Sequence, residues 1–164
     1  MTRAGAFLLL LVLAARGAAV PQEPGVRVPS VDTAPVGRIQ VRPGNSTTVQ
    51  LDFRVADPFH INSNKPKSEL LIPTALQLDA PHPLSVGPIK YPPGQDQSFP
   101  FAPGEKLSVY SGDFAINVIV KAAAGAAGGT YPVSGQLRFQ ACDRSACYPP
   151  RTTPVKFEVS IAER

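Results

Sequence analysis

The stretch that decides the fold of this chain is Thr47-Thr48-Val49-Gln50-Leu51-Asp52-Phe53-Arg54-Val55. Apolar and polar side chains alternate along it with a period of two, which is the pattern of a half-buried β-strand. Ile39 and Val41 show the same alternation just upstream. Between the two segments lies Pro43-Gly44-Asn45, a sequence typical of a turn. Together these residues predict two strands joined as a hairpin.

Further candidate strands follow at intervals of about ten residues, a spacing typical of sandwich folds. They span residues 74–78, 86–91, 107–110, 114–120, 135–141 and 155–161. Segment 114–120 is mostly apolar on both faces, which predicts a central strand. Segment 122–129 is rich in alanine, but its three glycines weaken a helix and favour a loop. The sequence therefore predicts an all-β sandwich.

Composition supports this fold class, because 19 prolines and 13 glycines favour turns and short strands over long helices. Residues 1–19 have a positive start, an apolar centre and a small-residue end, which predicts a secretory signal peptide. Residues 20–36 are interpreted as an extended linker and residues 37–164 as one domain without a membrane span. Removing the two signal-peptide arginines leaves a charge of 14 − 12 = +2, and the scattered basic residues do not indicate nucleic-acid binding.

A proline-rich segment over residues 91–104 carries two large rings, Phe99 and Phe101. Its prolines predict neither strand nor helix. Rings on a loop need something to cover, and two interpretations remain open. They either close one end of the hydrophobic core or form a cap over a reactive site elsewhere.

The chain contains two cysteines, Cys142 and Cys147, which in an exported protein are expected to form a disulfide. A closed loop of roughly six residues stabilises a fold by only about 2 kcal/mol. The intervening Asp143, Arg144 and Ser145 predict a surface loop, where sulfur is accessible. Spacing alone leaves two interpretations open, a structural staple and a redox-active pair. The cysteines and the distant His60 and His82 lack ligand spacing, so no metal site is expected.

Two segments around this pair carry a resemblance to a known family. They are Gly135-Gln136-Leu137-Arg138-Phe139-Gln140-Ala141-Cys142 and Cys147-Tyr148-Pro149-Pro150-Arg151-Thr152. This pattern resembles the N-terminal periplasmic domain of the thiol:disulfide interchange protein DsbD. Weaker similarity at residues 59–62 and 107–110 extends the resemblance over most of residues 38–161.

The resemblance implies an immunoglobulin-like β-sandwich that passes reducing equivalents by thiol–disulfide exchange without a cofactor. It assigns Cys147 as the exchanging sulfur and Cys142 as the resolving sulfur, since exchange proceeds through a mixed disulfide. The four-residue loop between the cysteines is one residue shorter than in the best-known member. Phe99 and Phe101 fall in the family's cap region, and Phe101 is our choice of cap.

Three further side chains are expected in the environment of the pair. His60 and Asn62 stand where the family often has tyrosines, and Tyr148 follows the second cysteine. His60 could tune a thiolate, although a histidine in a strand can equally be structural. These residues are predicted as neighbours of the site, not as reacting groups.

The resemblance also implies partners and a location. The expected electron donor is a membrane thiol:disulfide reductase or a periplasmic thioredoxin-like protein. The expected acceptors are oxidised periplasmic disulfide isomerases or cytochrome-maturation proteins, and the chain is expected in the periplasm. Two alternatives stay open: a non-enzymatic immunoglobulin-like binding or adaptor module with a structural disulfide, and a secreted glycoprotein suggested by Asn45-Ser46-Thr47. The chain is a thiol–disulfide oxidoreductase only if the pair is redox-active.

Overall fold

The computed structural model describes residues 28–163. The predicted signal peptide and the first part of the predicted linker lie outside this range. Within it the chain forms twelve strands and their connecting loops. The strands are β1 (Val31–Thr33), β2 (Ile39–Val41), β3 (Ser46–Val55), β4 (His60–Asn62), β5 (Ala75–Asp79), β6 (Leu84–Lys90), β7 (Gln95–Ser98), β8 (Lys106–Tyr110), β9 (Asp113–Ala122), β10 (Gly129–Phe139), β11 (Ala141–Cys142) and β12 (Arg151–Ile161).

Two of the three sheets form a sandwich. The first has the strand order β1-β3-β9-β6 and the second β2-β12-β10-β5. Buried side chains from both sheets belong to one cluster, including Leu51 and Val118 from the first and Leu137 and Val155 from the second. Burial alternates along β3 as its sequence predicts. The predicted all-β sandwich is confirmed, and β9 is central because it pairs with β3 on one side and β6 on the other.

The hairpin predicted between residues 39–41 and 47–55 is wrong. β2 pairs in parallel with β12 in the second sheet, whereas β3 lies in the first sheet. The turn itself is present, with Asn45 N–H donating to Arg42 O at 3.0 Å and Gly44 at a φ of 79°. Turn residues reverse the direction of the chain, but they do not determine which sheet the strand on either side joins. Here the turn carries the chain from one layer of the sandwich to the other.

The N-terminal boundary also differs from the prediction. Residues 31–33, expected in the linker, form β1 and pair with β3 from Val31 opposite Val55 to Thr33 opposite Phe53. Val31 is buried, and its carbonyl oxygen accepts a hydrogen bond of 2.7 Å from Thr153 Oγ1. A strand of three residues is too short to show periodicity, so no pattern in the sequence predicts it.

The third sheet is small and has the strand order β11-β4-β8-β7. β7 was not expected, because it lies in the proline-rich segment 91–104. The prolines stand on either side of Gln95–Ser98 and leave these four residues free to pair with β8. The predicted strand 135–141 is also divided: β10 ends at Phe139 and β11 begins at Ala141. This break moves the chain from the sandwich into the small sheet.

Two other findings complete the fold. Segment 122–129 contains no helix, as its glycines predicted, and Ala126 N–H closes a turn there with Ala123 O at 3.0 Å. Residues 28–163 form no helix of sufficient length and apolar character to cross a membrane.

Candidate redox site

The two cysteines form a disulfide at the edge of the small sheet. Cys142 ends β11 and is bonded to Cys147, with an S–S distance of 2.01 Å and a Cα–Cα distance of 3.9 Å. The two residues face each other as an isolated antiparallel bridge. Cys142 is 0% exposed, whereas Cys147 is partly exposed. A sulfur from another protein can therefore approach Cys147 but not Cys142.

The loop between the cysteines is organised by Asp143. One carboxylate oxygen, Oδ1, accepts hydrogen bonds from the backbone N–H groups of Ser145 at 2.7 Å and Ala146 at 2.9 Å. The other, Oδ2, accepts one from the Tyr148 hydroxyl at 2.6 Å. The Tyr148 bond, followed by the two backbone bonds, lowers the pKa of Asp143, and the same contact raises the pKa of Tyr148. The carboxylate thus stays charged and fixes the turn.

Gln140, in the break between β10 and β11, connects this loop to the rest of the site. Its Oε1 accepts hydrogen bonds from Ile72 N–H at 3.1 Å and from Asn62 Nδ2 at 3.0 Å. Its Nε2 donates to the carbonyl oxygen of Tyr148 at 3.3 Å. Gln140 belongs to the quoted motif, but no role was predicted for it. It continues the alternation of apolar and polar residues from Leu137 to Ala141, so nothing in the sequence distinguishes it from an ordinary strand residue.

Asn62 and Tyr148 both lie beside the disulfide loop, and both form hydrogen bonds there. Asn62 is 0% exposed and donates from Nδ2 to Ile72 O at 3.0 Å as well as to Gln140. Tyr148 packs the edge of its ring against Phe59, with ring centroids 5.7 Å apart. Its backbone N–H donates to Ala141 O at 2.8 Å. These contacts hold the residue after Cys147 against β4 and β11.

His60 lies directly opposite Cys142 in the pairing of β4 with β11. It is 4% exposed, and its ring stacks on Phe99 with centroids 3.9 Å apart and an interplanar angle of 13°. The ring centroid of Phe101 lies 5.4 Å from that of Phe99 and 6.4 Å from that of His60, with all three rings nearly parallel. Neither phenylalanine belongs to the buried core cluster. Phe99, rather than our preferred Phe101, is the ring in direct contact with His60.

Burial sets the protonation state of this histidine. Desolvation lowers the pKa of His60 to about 4, and the negative charge of Asp143 opposes this shift. The imidazole is therefore neutral at neutral pH. Its Nε2 is buried and has no hydrogen-bond partner within the part of the chain that the structure describes. A cavity of about 380 Å³ lies beside the ring, lined also by Asp57, Phe99 and Arg144.

Residues 28–163 contain no group of three or more histidine, cysteine, aspartate or glutamate side chains that could hold a metal ion. Within this range both cysteines are consumed by the disulfide.

A β-sandwich that presents one partly exposed disulfide on a short loop defines a class of domain capable of exchanging thiols and disulfides. Comparison with known families identifies the family within this class. Residues 27–158 match the family model described as "Thiol:disulfide interchange protein DsbD, N-terminal". The chain belongs to this family, and its general function is thiol:disulfide interchange. The fold is an immunoglobulin-like β-sandwich, as the resemblance predicted.

Similar solved structures include two β-domains. The crystal structure of the Neisseria meningitidis DsbD N-terminal domain in the reduced form is 21% identical, covers 66% of this chain and 74% of its own, and has a TM-score of 0.41. The seventh ScaB type I cohesin from Pseudobacteroides cellulosolvens is 14% identical, covers 82% of this chain and 93% of its own, and has a TM-score of 0.49. No curated protein matches the sequence. The family assignment rests on the family model.

Proposed function

We propose that this protein is a periplasmic interchange domain that passes reducing equivalents through Cys142 and Cys147 to oxidised partner proteins. The unequal burial of the two sulfurs carries the proposal. Exchange needs one sulfur that a partner can reach and a second, protected sulfur that releases the partner. Cys147 is partly exposed and Cys142 is 0% exposed, which suits these two roles.

The reaction starts from the reduced pair. The Cys147 thiolate attacks one sulfur of the partner disulfide, forming a mixed disulfide and releasing the other partner sulfur as a thiolate. Cys142 then attacks Sγ of Cys147, which forms the intramolecular disulfide and breaks the bond to the partner. The partner leaves with two electrons and both of its cysteines reduced. Both steps use protein sulfur alone, so the proposal includes no cofactor.

The partners in this proposal follow from the family. A membrane thiol:disulfide reductase or a periplasmic thioredoxin-like protein returns electrons to the pair. Oxidised disulfide isomerases or cytochrome-maturation proteins receive them. Export through a signal peptide at residues 1–19 would place the domain in the compartment where such partners occur.

The aromatic segment is part of the proposal as a cap. Phe99 covers His60, which lies opposite Cys142, and Phe101 stacks on Phe99. The stack would shield the pair from small thiols and move aside when a partner docks. Of the two interpretations of these rings, core plug and cap, the proposal adopts the cap.

A trapping experiment tests the proposed roles. Cys142→Ser should accumulate a mixed disulfide with an oxidised thioredoxin-like partner, because Cys147 can attack but nothing releases the partner. Cys147→Ser should trap none, because Cys142 is buried. Both products are read on a non-reducing gel, with the wild type as the control that turns over.

The opposite trapping pattern would exchange the two assignments. If neither variant is trapped and the wild type does not reduce the partner, the pair is a structural staple in an adaptor module. One observation favours that alternative: the loop is fixed on both sides, by Asp143 within it and by Gln140 behind it.

A further inference from the structure

Three side chains lie in a row across neighbouring strands at the disulfide. His60 pairs with Cys142 between β4 and β11, and Cys142 pairs with Cys147 across the loop. Residues directly opposite each other in an antiparallel pair project from the same face, with Cβ atoms about 5 Å apart. His60 and Cys142 are therefore direct cross-strand neighbours whose side chains project from the same face of the small sheet.

The burial of Cys142 creates a problem for the release step. Only a thiolate attacks a disulfide efficiently, and burial in apolar surroundings raises the pKa of a thiol. Cys142 is 0% exposed, so bulk water is poorly placed to accept its proton. The release step consequently needs a proton acceptor inside the site.

The groups around Cys142 differ in their freedom to accept this proton. The carboxylate of Asp143 already accepts three hydrogen bonds, from Ser145, Ala146 and Tyr148. His60 Nε2 is buried and has no partner among residues 28–163. Buried polar atoms are nearly always paired, and an exception calls for an explanation such as a catalytic role.

We propose that His60 accepts the thiol proton of Cys142 when Cys142 attacks the mixed disulfide. The proton moves from Cys142 Sγ to an imidazole nitrogen, and the resulting thiolate forms its bond with Sγ of Cys147. The bond between Cys147 and the partner sulfur breaks, and the partner leaves as a thiolate with the electron pair. The imidazolium then returns its proton to that thiolate or to water. This inference rests on the proposed function, because it concerns the second step of the same exchange.

The surrounding charges are compatible with this transfer. Burial makes the imidazole neutral, with a pKa of about 4, in the disulfide form. A thiolate at Cys142 adds a negative charge beside the ring, and an opposite charge favours the imidazolium. Asp143 acts in the same direction, and Asp57 and Arg144 line the cavity beside the ring. Phe99 covers the ring face and limits access of water to the pair of charges.

The two steps can be observed separately with the reduced full chain and the chromogenic aromatic disulfide dithiobis(nitrobenzoate). The first thionitrobenzoate is released when Cys147 attacks, and the second when Cys142 displaces the adduct. His60→Phe keeps an aromatic ring against Phe99 but removes the base. At neutral pH it should slow the second release on the order of 100-fold, the usual range for a lost general base. It should leave the first release unchanged.

The pH profile separates proton transfer from a structural effect. In His60→Phe the second release should rise only at higher pH, where the Cys142 thiol ionises without help. His82→Phe is the matched control, because it removes the other histidine, which is exposed. It should keep the wild-type rates and profile.

Each remaining outcome is decisive. A folded His60→Phe variant with a wild-type second release and pH profile overturns the role of His60 and leaves the cysteine roles intact. Absence of a first release at Cys147 both in the wild type and in Phe99→Ala, which removes the proposed cap, overturns the proposed function itself. If His60→Phe does not fold, an NMR titration of wild-type His60 decides: in the reduced protein its protonation must be coupled to that of Cys142, and independent titrations refute the proposal.

Discussion

At the scale of single residues, Tyr148 determines how firmly the loop between the cysteines is held. Its hydroxyl donates the shortest of the three hydrogen bonds that Asp143 accepts. A charged carboxylate accepts such a bond more strongly than a protonated one. The charge of Asp143 and the shape of the loop are therefore linked through one phenolic proton.

Tyr148→Phe should raise the pKa of Asp143 toward its ordinary value of 3.8, because it removes the largest cause of the lowered value. The lowered pKa contributes stability above pH 3.8 that is lost as the pH falls through the value in the folded protein. Tyr148→Phe should therefore lose part of this stabilisation of the folded state above pH 3.8. An NMR titration of the Asp143 carboxyl measures the shift. Tyr131→Phe is the control, because the Tyr131 hydroxyl that it removes donates a hydrogen bond to Ala127 O. An unchanged titration in Tyr148→Phe would contradict the assignment.

The sequence identified the sulfur pair but not the way its neighbours act. Asp143 was predicted only as a residue of a surface loop, because residue identity does not show that the turn directs two N–H groups at its carboxylate. His60 was named without a partner, because its place opposite Cys142 depends on the register between β4 and β11. Both facts arise from pairing between segments distant in the sequence.

At the scale of elements, the segment between β7 and β8 lies over His60 and is the proposed cap. β7 and β8 pair from Gln95 opposite Val109 to Ser98 opposite Lys106, so the segment between them starts and ends at the small sheet. Phe99 follows β7 immediately, and its ring centroid lies 3.9 Å from that of His60, whereas the centroid of Phe101 lies 6.4 Å from it. The first ring should therefore matter more than the second.

Phe99→Ala should speed reduction of the disulfide by a small dithiol more than Phe101→Ala does. Losing an aromatic stacking pair costs about 0.5–1.5 kcal/mol beyond burial, or roughly two- to tenfold in the population of an open cap. Stopped-flow reduction of the oxidised protein measures both rates, and Phe101→Ala serves as the matched comparison. Equal rates in wild type and Phe99→Ala would show that the segment does not shield the pair.

Strand length explains which elements could be predicted. β3 and β9 each run for ten residues, enough to show alternating or continuous apolar character. β4 and β11 have three and two residues, too few for a period to appear. The Gly44 turn was located correctly, but the sheet joined by β2 depends on long-range packing. The short strands that carry the site were therefore the hardest to foresee.

At the scale of the whole molecule, the sandwich and the reactive sheet have separate tasks. The core cluster is formed mainly by the two larger sheets, while the disulfide closes a loop of short sequence separation at the edge of the third. A disulfide that closes a short loop removes little conformational entropy from the unfolded chain and therefore adds little stability. Stability should thus depend on the sandwich and only weakly on the redox state of the pair.

The double variant Cys142→Ala, Cys147→Ala should remain cooperatively folded and lose about 2 kcal/mol of unfolding free energy, the amount expected for such a small loop. Phe139→Ala, in the fully buried core, should cost more, about 3–5 kcal/mol. Chemical denaturation followed by circular dichroism measures both. Unfolding of the double variant in the absence of denaturant would mean that the disulfide is a structural staple.

The strand at the far side of the small sheet has a consequence for self-association. β7 is short and polar, and Asp96 within it forms an ion pair of 2.5 Å with Lys67. An edge strand with unpaired backbone groups can recruit another chain and start aggregation, and charge and shortness oppose this. β7 thus protects one edge of the sheet from pairing with another chain. In the proposed exchange, partner proteins dock at the opposite edge, where β11 carries the disulfide.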